Sequence, residues 1–270
     1  MKNLFRFYRL LNILSLDIVA GAVICASFFS RIFDITILPY GLISLGLTVW
    51  IIYTTDHLLD ARKVKQLAST ERHRFHQRHF NLLLVLLTIA IIVDIIQLLF
   101  IRKAVFMEGL VLASIVVLYF ALQRQLQSLK ELFGALLYSG GVLLIPLSLR
   151  NEVISSSQMI LIVQFILTAF INLLIFSWFD RRYDEQDNRT SFTTMMGEKA
   201  TLQTLIALFL VQGIFSLSQI VFWYNPFEVI LVLMNGVLLL ISIRKKYFEI
   251  GDRYRLLGDA IFLLPLIYLL

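Results

Sequence analysis

The chain is poor in the residues that build many soluble sites. It has one cysteine, Cys25, in the middle of an apolar stretch, which excludes a disulfide framework and a thiolate metal centre. No glycine-rich segment reads as a nucleotide-binding loop, and outside the connecting loops there is no basic stripe with interleaved aromatics, so nucleic acid is set aside as a partner. Charged residues make up only 16% of the sequence. The first apolar stretch lacks a small-residue cleavage site and is too long for a removable signal peptide, so it is expected to stay as the first helix.

What is abundant is apolar surface. With 59% hydrophobic residues and a mean hydropathy of +0.83, the chain carries more than a water-soluble core of this size encloses, so lipid is part of its solvent. A spanning helix needs about 20 apolar residues to cross about 30 Å of hydrocarbon. Nine stretches meet this, near residues 10–30, 37–59, 80–101, 104–122, 132–149, 157–179, 201–223, 227–243 and 254–270, with Glu108 in the fourth and Gly140, Gly141 and Pro146 in the fifth. The expected fold is all-α, a polytopic membrane bundle of nine transmembrane helices in a single domain, 1–270.

The loop charges give a second view of this threading, because Lys and Arg accumulate in short cytoplasmic loops. Nine spans place 20 of the 24 basic residues on the side of the N-terminus and leave Arg31, Arg102, Lys103 and Arg150 on the other. That predicts a cytoplasmic N-terminus and an external C-terminus in a cell membrane, expected to be a bacterial inner membrane. The formal charge of +6 suits lipid headgroups on the cytoplasmic face.

Two connections, residues 60–79 and 180–200, are longer and more polar than the rest, and both fall on the cytoplasmic side. Each opens with a pair of acids four apart: Asp56 and Asp60 in YTTDHLLDARK, and Asp180 and Asp184 in FDRRYDEQD. On a continuing helix this spacing puts both carboxylates on one face. Like charges there repel, and carboxylates near hydrocarbon are costly, so a divalent cation between them relieves both penalties. Hard oxygen ligands point to Mg2+, which binds through one or two carboxylates and fills its remaining positions with water and phosphate oxygens. Two such pairs could hold two ions against a diphosphate. The competing reading is of solvated helix-end acids neutralised by Arg62, Lys63, Arg181 and Arg182; the repeat of one spacing at the only two long loops favours a shared site.

The segment DRRYDEQDNRTSFTTMMG, residues 180–197, resembles the second aspartate-rich motif of the UbiA superfamily of intramembrane prenyltransferases, DxxxDxxxGxxT followed by a Gly. Asp180, Asp184 and Gly197 match, Asn188 stands where Gly is usual, and Ser191 replaces Thr. The family's first motif, NDxxDxxxD, is matched in its second half by Asp56 and Asp60, with Ile52 and Tyr53 at the Asn and Asp positions. Thr70, Glu71 and Arg72 resemble the family's TxRP, with His73 for Pro, and Tyr119, Arg124 and Lys130 resemble a Tyr and basic-residue pattern. The resemblance implies nine helices around a central cavity with cytoplasmic cap loops. It implies transfer of an isoprenoid from a prenyl diphosphate to a lipophilic, possibly aromatic, acceptor reached from membrane lipid, with Mg2+ on Asp56, Asp60, Asp180 and Asp184. Arg72, Arg124 and Lys130 would then bind the diphosphate, and Tyr53, Tyr119 and Asp187 would line the cavity. A catalytically silent relative that binds a lipid diphosphate is the alternative within the family.

Other residues invite separate readings. Asp17, Asp94 and Asp259 lie within apolar stretches, where acids are rare. They could line an ion path in a small transporter. Asp17 and Asp259 could instead pair with helix-end arginines or line the cavity, while Asp94 and Glu108 are expected to pair with Arg102 or Lys103. His73, His76 and His79 lack a convincing fourth ligand for zinc and read as a basic interfacial segment.

Overall fold

A computed structural model describes the backbone of residues 2–63 and 70–270, and the side chains of this range other than 2–5, 63, 123 and 124. All regular structure among the described residues is helical. The helices are α1 (Lys2–Ile13), α2 (Leu16–Ile32), α3 (Pro39–Lys63), α4 (Glu71–Arg78), α5 (Phe80–Leu98), α6 (Lys103–Leu126) and α7 (Lys130–Ser148). They continue with α8 (Ser156–Gln186), α9 (Phe192–Met196), α10 (Glu198–Ser218), α11 (Glu228–Ile243), α12 (Lys245–Glu249), α13 (Arg253–Ala260) and α14 (Leu266–Leu269).

Every one of the nine expected stretches lies in helical structure, but they are not nine equal spans. Among the described residues six helices, α3, α5, α6, α7, α8 and α10, are long and apolar enough to cross a bilayer, or seven spans if α1 and α2 count as one. Those two are bent by 77° at Leu14 and Ser15, where Ser15 has φ 58°. The stretch at 227–243 forms only the 16 residues of α11, about 24 Å at 1.5 Å per residue and short of the hydrocarbon thickness. The last stretch is broken into α13, a 3-10 turn at Ile261–Leu263 and α14, with Pro265 between them.

Packing follows burial. α8 runs through the middle, against α7, α10, α11 and α13, and Leu161, Phe165, Ile171, Leu174 and Ile175 on it are at most 1% exposed. α5 and α6 instead present Val85, Ile92, Ile95, Val111 and Val117 outward, as lipid-facing helices do. α7 runs unbroken through Gly140, Gly141 and Pro146. α3 and α8 both extend past their apolar stretches, to Lys63 and Gln186, and this carries both acid pairs onto helix ends at the same end of the bundle.

Candidate functional site

A cavity of about 310 Å3 opens at that end. α3 contributes Tyr53, Asp56 and His57, and α8 contributes Asn172, Phe176, Asp180 and Asp184. The first long connection adds Thr70, Glu71, Arg72 and His73, α7 adds Lys130, Glu131 and Tyr138, and the second connection adds Arg189 and Ser191. α1 and the segment at 251–262 close it with Arg9, Asn12, Tyr254, Arg255 and Asp259. Its deeper wall is apolar, with Ile18, Ala135, Ala169, Leu173 and Phe262.

Each connection is tied down locally. Thr70 caps α4, its hydroxyl accepting from the His73 amide. In the second connection Asn188 has φ 52°, a left-handed conformation that Gly and Asn tolerate best, at the position where the motif described above carries Gly. Ser191 then caps α9 in a reciprocal box with Thr194. The Phe192 amide donates to Glu131 Oε1 (2.9 Å), and Thr193 N to Ser177 Oγ (2.9 Å), which fastens α9 to α7 and α8.

The carboxylates fare unequally. Asp56, Asp180 and Asp184 line the cavity, whereas Asp60 is 6% exposed and paired with Arg189, whose guanidinium also lies 3.1 Å from His73 Nε2. Asp180 accepts from the Tyr254 hydroxyl and from Arg255. Asp184 sits in the field of Arg189 and Lys130, beside the Ser191 hydroxyl. Arg72 is 7% exposed and donates to the carbonyl O (3.0 Å) and Oδ1 (2.9 Å) of Asn12, with Asp259 at 3.5 Å. Asn12 Nδ2 in turn bridges Asp17 (2.6 Å) and Asp259 (2.7 Å). Burial, with the positive charge of Arg189, pushes the His73 imidazole down to about 2, and burial also lowers His76, so both rings are neutral at physiological pH.

Several expectations change. Tyr53 lines the cavity, but Tyr119 and Asp187 are not among its lining residues; the Tyr119 ring lies against Phe120 at 5.7 Å. Lys130 lines it and reaches Thr190 O at 3.4 Å. The side chain of Arg124 lies outside the described residues. Asp94 accepts from Ser44 (2.6 Å) and Thr48 (2.8 Å), and Glu108 from Ser148 (2.6 Å), so hydroxyls on neighbouring helices hold these acids where Arg102 and Lys103 were expected. Asp94 is held between α3 and α5, whereas Asp17 and Asp259 share the Asn12 amide. Among the described residues no group of three or more His, Cys, Asp or Glu is arranged as a ready metal site.

The donor chemistry nevertheless fits Mg2+, which requires only one or two carboxylates when phosphate oxygens complete its shell. Asp56 from α3 and Asp184 from α8 supply hard oxygens to the cavity. Around them Glu131 Oε2, Tyr138 OH, Asn172 Oδ1, His57 Nδ1 and Arg72 Nε are buried without a hydrogen-bond partner, so the cavity has unused polar capacity for a polar occupant.

No protein-family model matches the sequence, and neither does any curated protein. Solved structures do match its fold. A UbiA homologue from Archaeoglobus fulgidus bound to DMAPP and Mg2+ superposes with a TM-score of 0.64 over 95% of this chain and 97% of that one, at 12% identity. A UbiA homologue from Archaeoglobus fulgidus bound to GPP and Mg2+ gives 0.66 over 95% and 98%, at 13% identity. The apo structure of a UbiA homologue from Aeropyrum pernix K1 gives 0.68 over 93% and 97%, at 12% identity. The chain therefore has the fold of the UbiA homologues, over almost the whole length of both.

Proposed function

We propose that the protein is a UbiA-superfamily intramembrane prenyltransferase that transfers an isoprenoid from a prenyl diphosphate to a lipophilic acceptor with Mg2+. The observation that carries this reading is the joint placement of Asp56 from α3 with Asp180 and Asp184 from α8 over one cavity that is charged at its mouth and apolar at depth. That polarity profile suits a diphosphate head and a hydrocarbon tail. The structural relatives bound to DMAPP or GPP with Mg2+ support the same substrate class.

In this reading Asp56, Asp180 and Asp184 would hold Mg2+, which when bound supplies positive charge against the diphosphate oxygens, while Asp60, outside the cavity lining, would hold Arg189. Lys130 and Arg189 at the mouth add fixed cations where charge builds on the departing diphosphate, and Arg124 is a further candidate. Arg72 stands one step behind: its contacts with Asn12 and Asp259 anchor the first connection, and it lines the cavity with its Nε buried and unpartnered. Ala135, Ala169, Leu173 and Phe262 receive the tail and exclude water, which would otherwise quench an allylic cation. Tyr53 and Tyr138 offer ring faces and hydroxyls to the reacting end.

The test is Mg2+-dependent binding and turnover of a series of prenyl diphosphates by purified protein in lipid, with Asp56→Ala and Asp180→Ala. Each substitution is expected to weaken binding by about tenfold or more, about 1.4 kcal/mol or above. Wild-type affinity in both variants would overturn the site. A second reading, a silent relative that binds without turnover, rests on the pairing of Asp60 with Arg189 and of Asp180 with Arg255 and Tyr254, and on Ile52 and Tyr53 in the first motif. Tight Mg2+-dependent binding without diphosphate release, with candidate acceptors present, would select it.

A further inference from the structure

A second polar cluster lies within the bundle, between α8, α10 and α11. Gln164, Thr168, Gln212 and Glu228 are at most 2% exposed, and Asn235 is 9% exposed. Gln164 Nε2 donates to Glu228 Oε1 (2.8 Å) and to Ser216 Oγ (3.2 Å). Gln212 Nε2 donates to Gln164 O (2.8 Å) and Thr168 Oγ1 (3.0 Å). Asn235 Nδ2 donates to Thr168 Oγ1 (3.0 Å) and Leu231 O (2.9 Å), and Thr168 donates back to Gln164 O (2.7 Å).

Every side-chain amide nitrogen in this cluster is therefore used twice, while the oxygens are left over. Gln164 Oε1, Gln212 Oε1, Asn235 Oδ1 and Glu228 Oε2 are all buried without a partner. Rotating the amides does not cure the imbalance, because it turns the Gln164 oxygen toward the Glu228 carboxylate, the Gln212 oxygen toward the Gln164 carbonyl and the Asn235 oxygen toward the Leu231 carbonyl, none of which can donate. Among the described residues no ion pair involves Glu228, so its carboxylate form would bring a negative charge into the bundle with no guanidinium or ammonium beside it. A cluster with surplus acceptors and one uncompensated negative charge is complementary to a cation.

We propose that this cluster is a binding site for a single alkali metal cation, held by the Glu228 carboxylate and the amide oxygens of Gln164, Gln212 and Asn235. Two alternatives satisfy the cluster less well. A proton on Glu228 turns one orphan oxygen into a donor for one amide and leaves two amides unserved, whereas a hard cation takes oxygen ligands from several groups at once. A divalent ion would leave a net positive charge inside the bundle, and one carboxylate balances only a monovalent one. The site lies one helical turn along α8 from Asn172, a wall residue of the cavity, so an ion there would stiffen the contact between α8, α10 and α11 behind the substrate site.

The test uses the full chain in lipid nanodiscs, without Mg2+ or prenyl diphosphate, so that its outcome is independent of the proposed activity. Thermal unfolding is followed while choline chloride is replaced by NaCl or by KCl at constant ionic strength and pH. A saturable rise in melting temperature with one of the alkali salts is expected, and so is stoichiometric binding of radiolabelled Na+ or K+. In Glu228→Gln the salt-dependent increment should vanish, and in Asn235→Leu its midpoint should move to about tenfold higher salt, a loss of about 1.4 kcal/mol. Identical melting in choline, Na+ and K+ would overturn the proposal on the wild type alone. So would an unchanged increment in Glu228→Gln.

Discussion

Adding one methyl group at Gly258 tests how tightly α13 is seated against α8. A Cβ at this position would lie 2.6 Å from Asn172 Oδ1 and 2.7 and 2.9 Å from two ring carbons of Phe176, against an ordinary carbon contact of about 3.5–4.0 Å. Asn172 can yield, since Oδ1 accepts no hydrogen bond. The Phe176 ring cannot yield cheaply: it is 7% exposed, lies 4.7 Å under the Arg255 guanidinium and meets the Tyr254 ring edge-on at 5.9 Å. Overpacking of this kind costs about 1–3 kcal/mol, while Ala gains up to about 1 kcal/mol over Gly in a helix interior. Gly258→Ala should therefore destabilise by up to about 2 kcal/mol net of the helix gain. The control is Gly213→Ala in α10, where nothing lies within 4 Å of the added Cβ and only the helix gain of up to about 1 kcal/mol applies. Thermal unfolding of both variants in nanodiscs should move in opposite directions. Because Tyr254 and Arg255 both hold Asp180, Gly258→Ala should also weaken Mg2+-dependent prenyl diphosphate binding. A Gly258→Ala protein that melts at or above the wild type would refute the packing argument.

Two further predictions concern the connections. At Asn188, φ 52°, Asn188→Gly should fold as the wild type does and Asn188→Val should lose about 1–2 kcal/mol, read as faster hydrogen exchange across α9. For α4, the docked His73 and His76 have pKa values below the ordinary value of about 6.5 that the undocked segment recovers, so the undocked state binds more protons in acid. Docking should be at full strength above about pH 6.5 and weaken as pH falls below it, by up to about 1.4 kcal/mol per pH unit for each histidine. Protection factors of α4 amides that stay constant down to about pH 5 would contradict this.

Helical architecture was legible because the nine apolar stretches are long, and each is helical in the structure. Their division into full spans was not. Nothing in LNILSLDI announces that Ser15 adopts φ 58° and turns the chain by 77°, and a hydropathy reading cannot tell the 16 residues of α11 from a complete crossing. The aspartate pairs could be placed because an i, i+4 spacing fixes a common face on any helix, and α3 and α8 both continue far enough to keep it. Their partners could not. Arg189 is 129 residues from Asp60, and Arg255 is 75 from Asp180; only packing brings each guanidinium to its acid. The one available signal was energetic: Asp259 within an apolar stretch required compensation, and it finds Asn12 at 2.7 Å and Arg72 at 3.5 Å. The Gln164, Gln212, Glu228 and Asn235 cluster gave no signal of this kind, because amides scattered over three helices have no shared spacing.

The two arginines give the site its logic. Carboxylates at the edge of hydrocarbon need positive charge at all times, and here the chain supplies it to Asp60 and Asp180 through Arg189 and Arg255. A guanidinium presents the same planar fork to a carboxylate and to a phosphate, so neither arginine is committed to its acid by shape alone. On the proposed function, arrival of a diphosphate gives each arginine an alternative anion within the same cavity wall, and releases carboxylate oxygens toward the cavity. Arg189 is the better placed to exchange, because it lies on a connection, while Arg255 also packs on Phe176 and is held by α13. A lysine at 189 would keep the charge but lose the fork. Arg189→Lys should then preserve the fold and the docking of α9 while weakening diphosphate binding, whereas a purely structural arginine would lose both together.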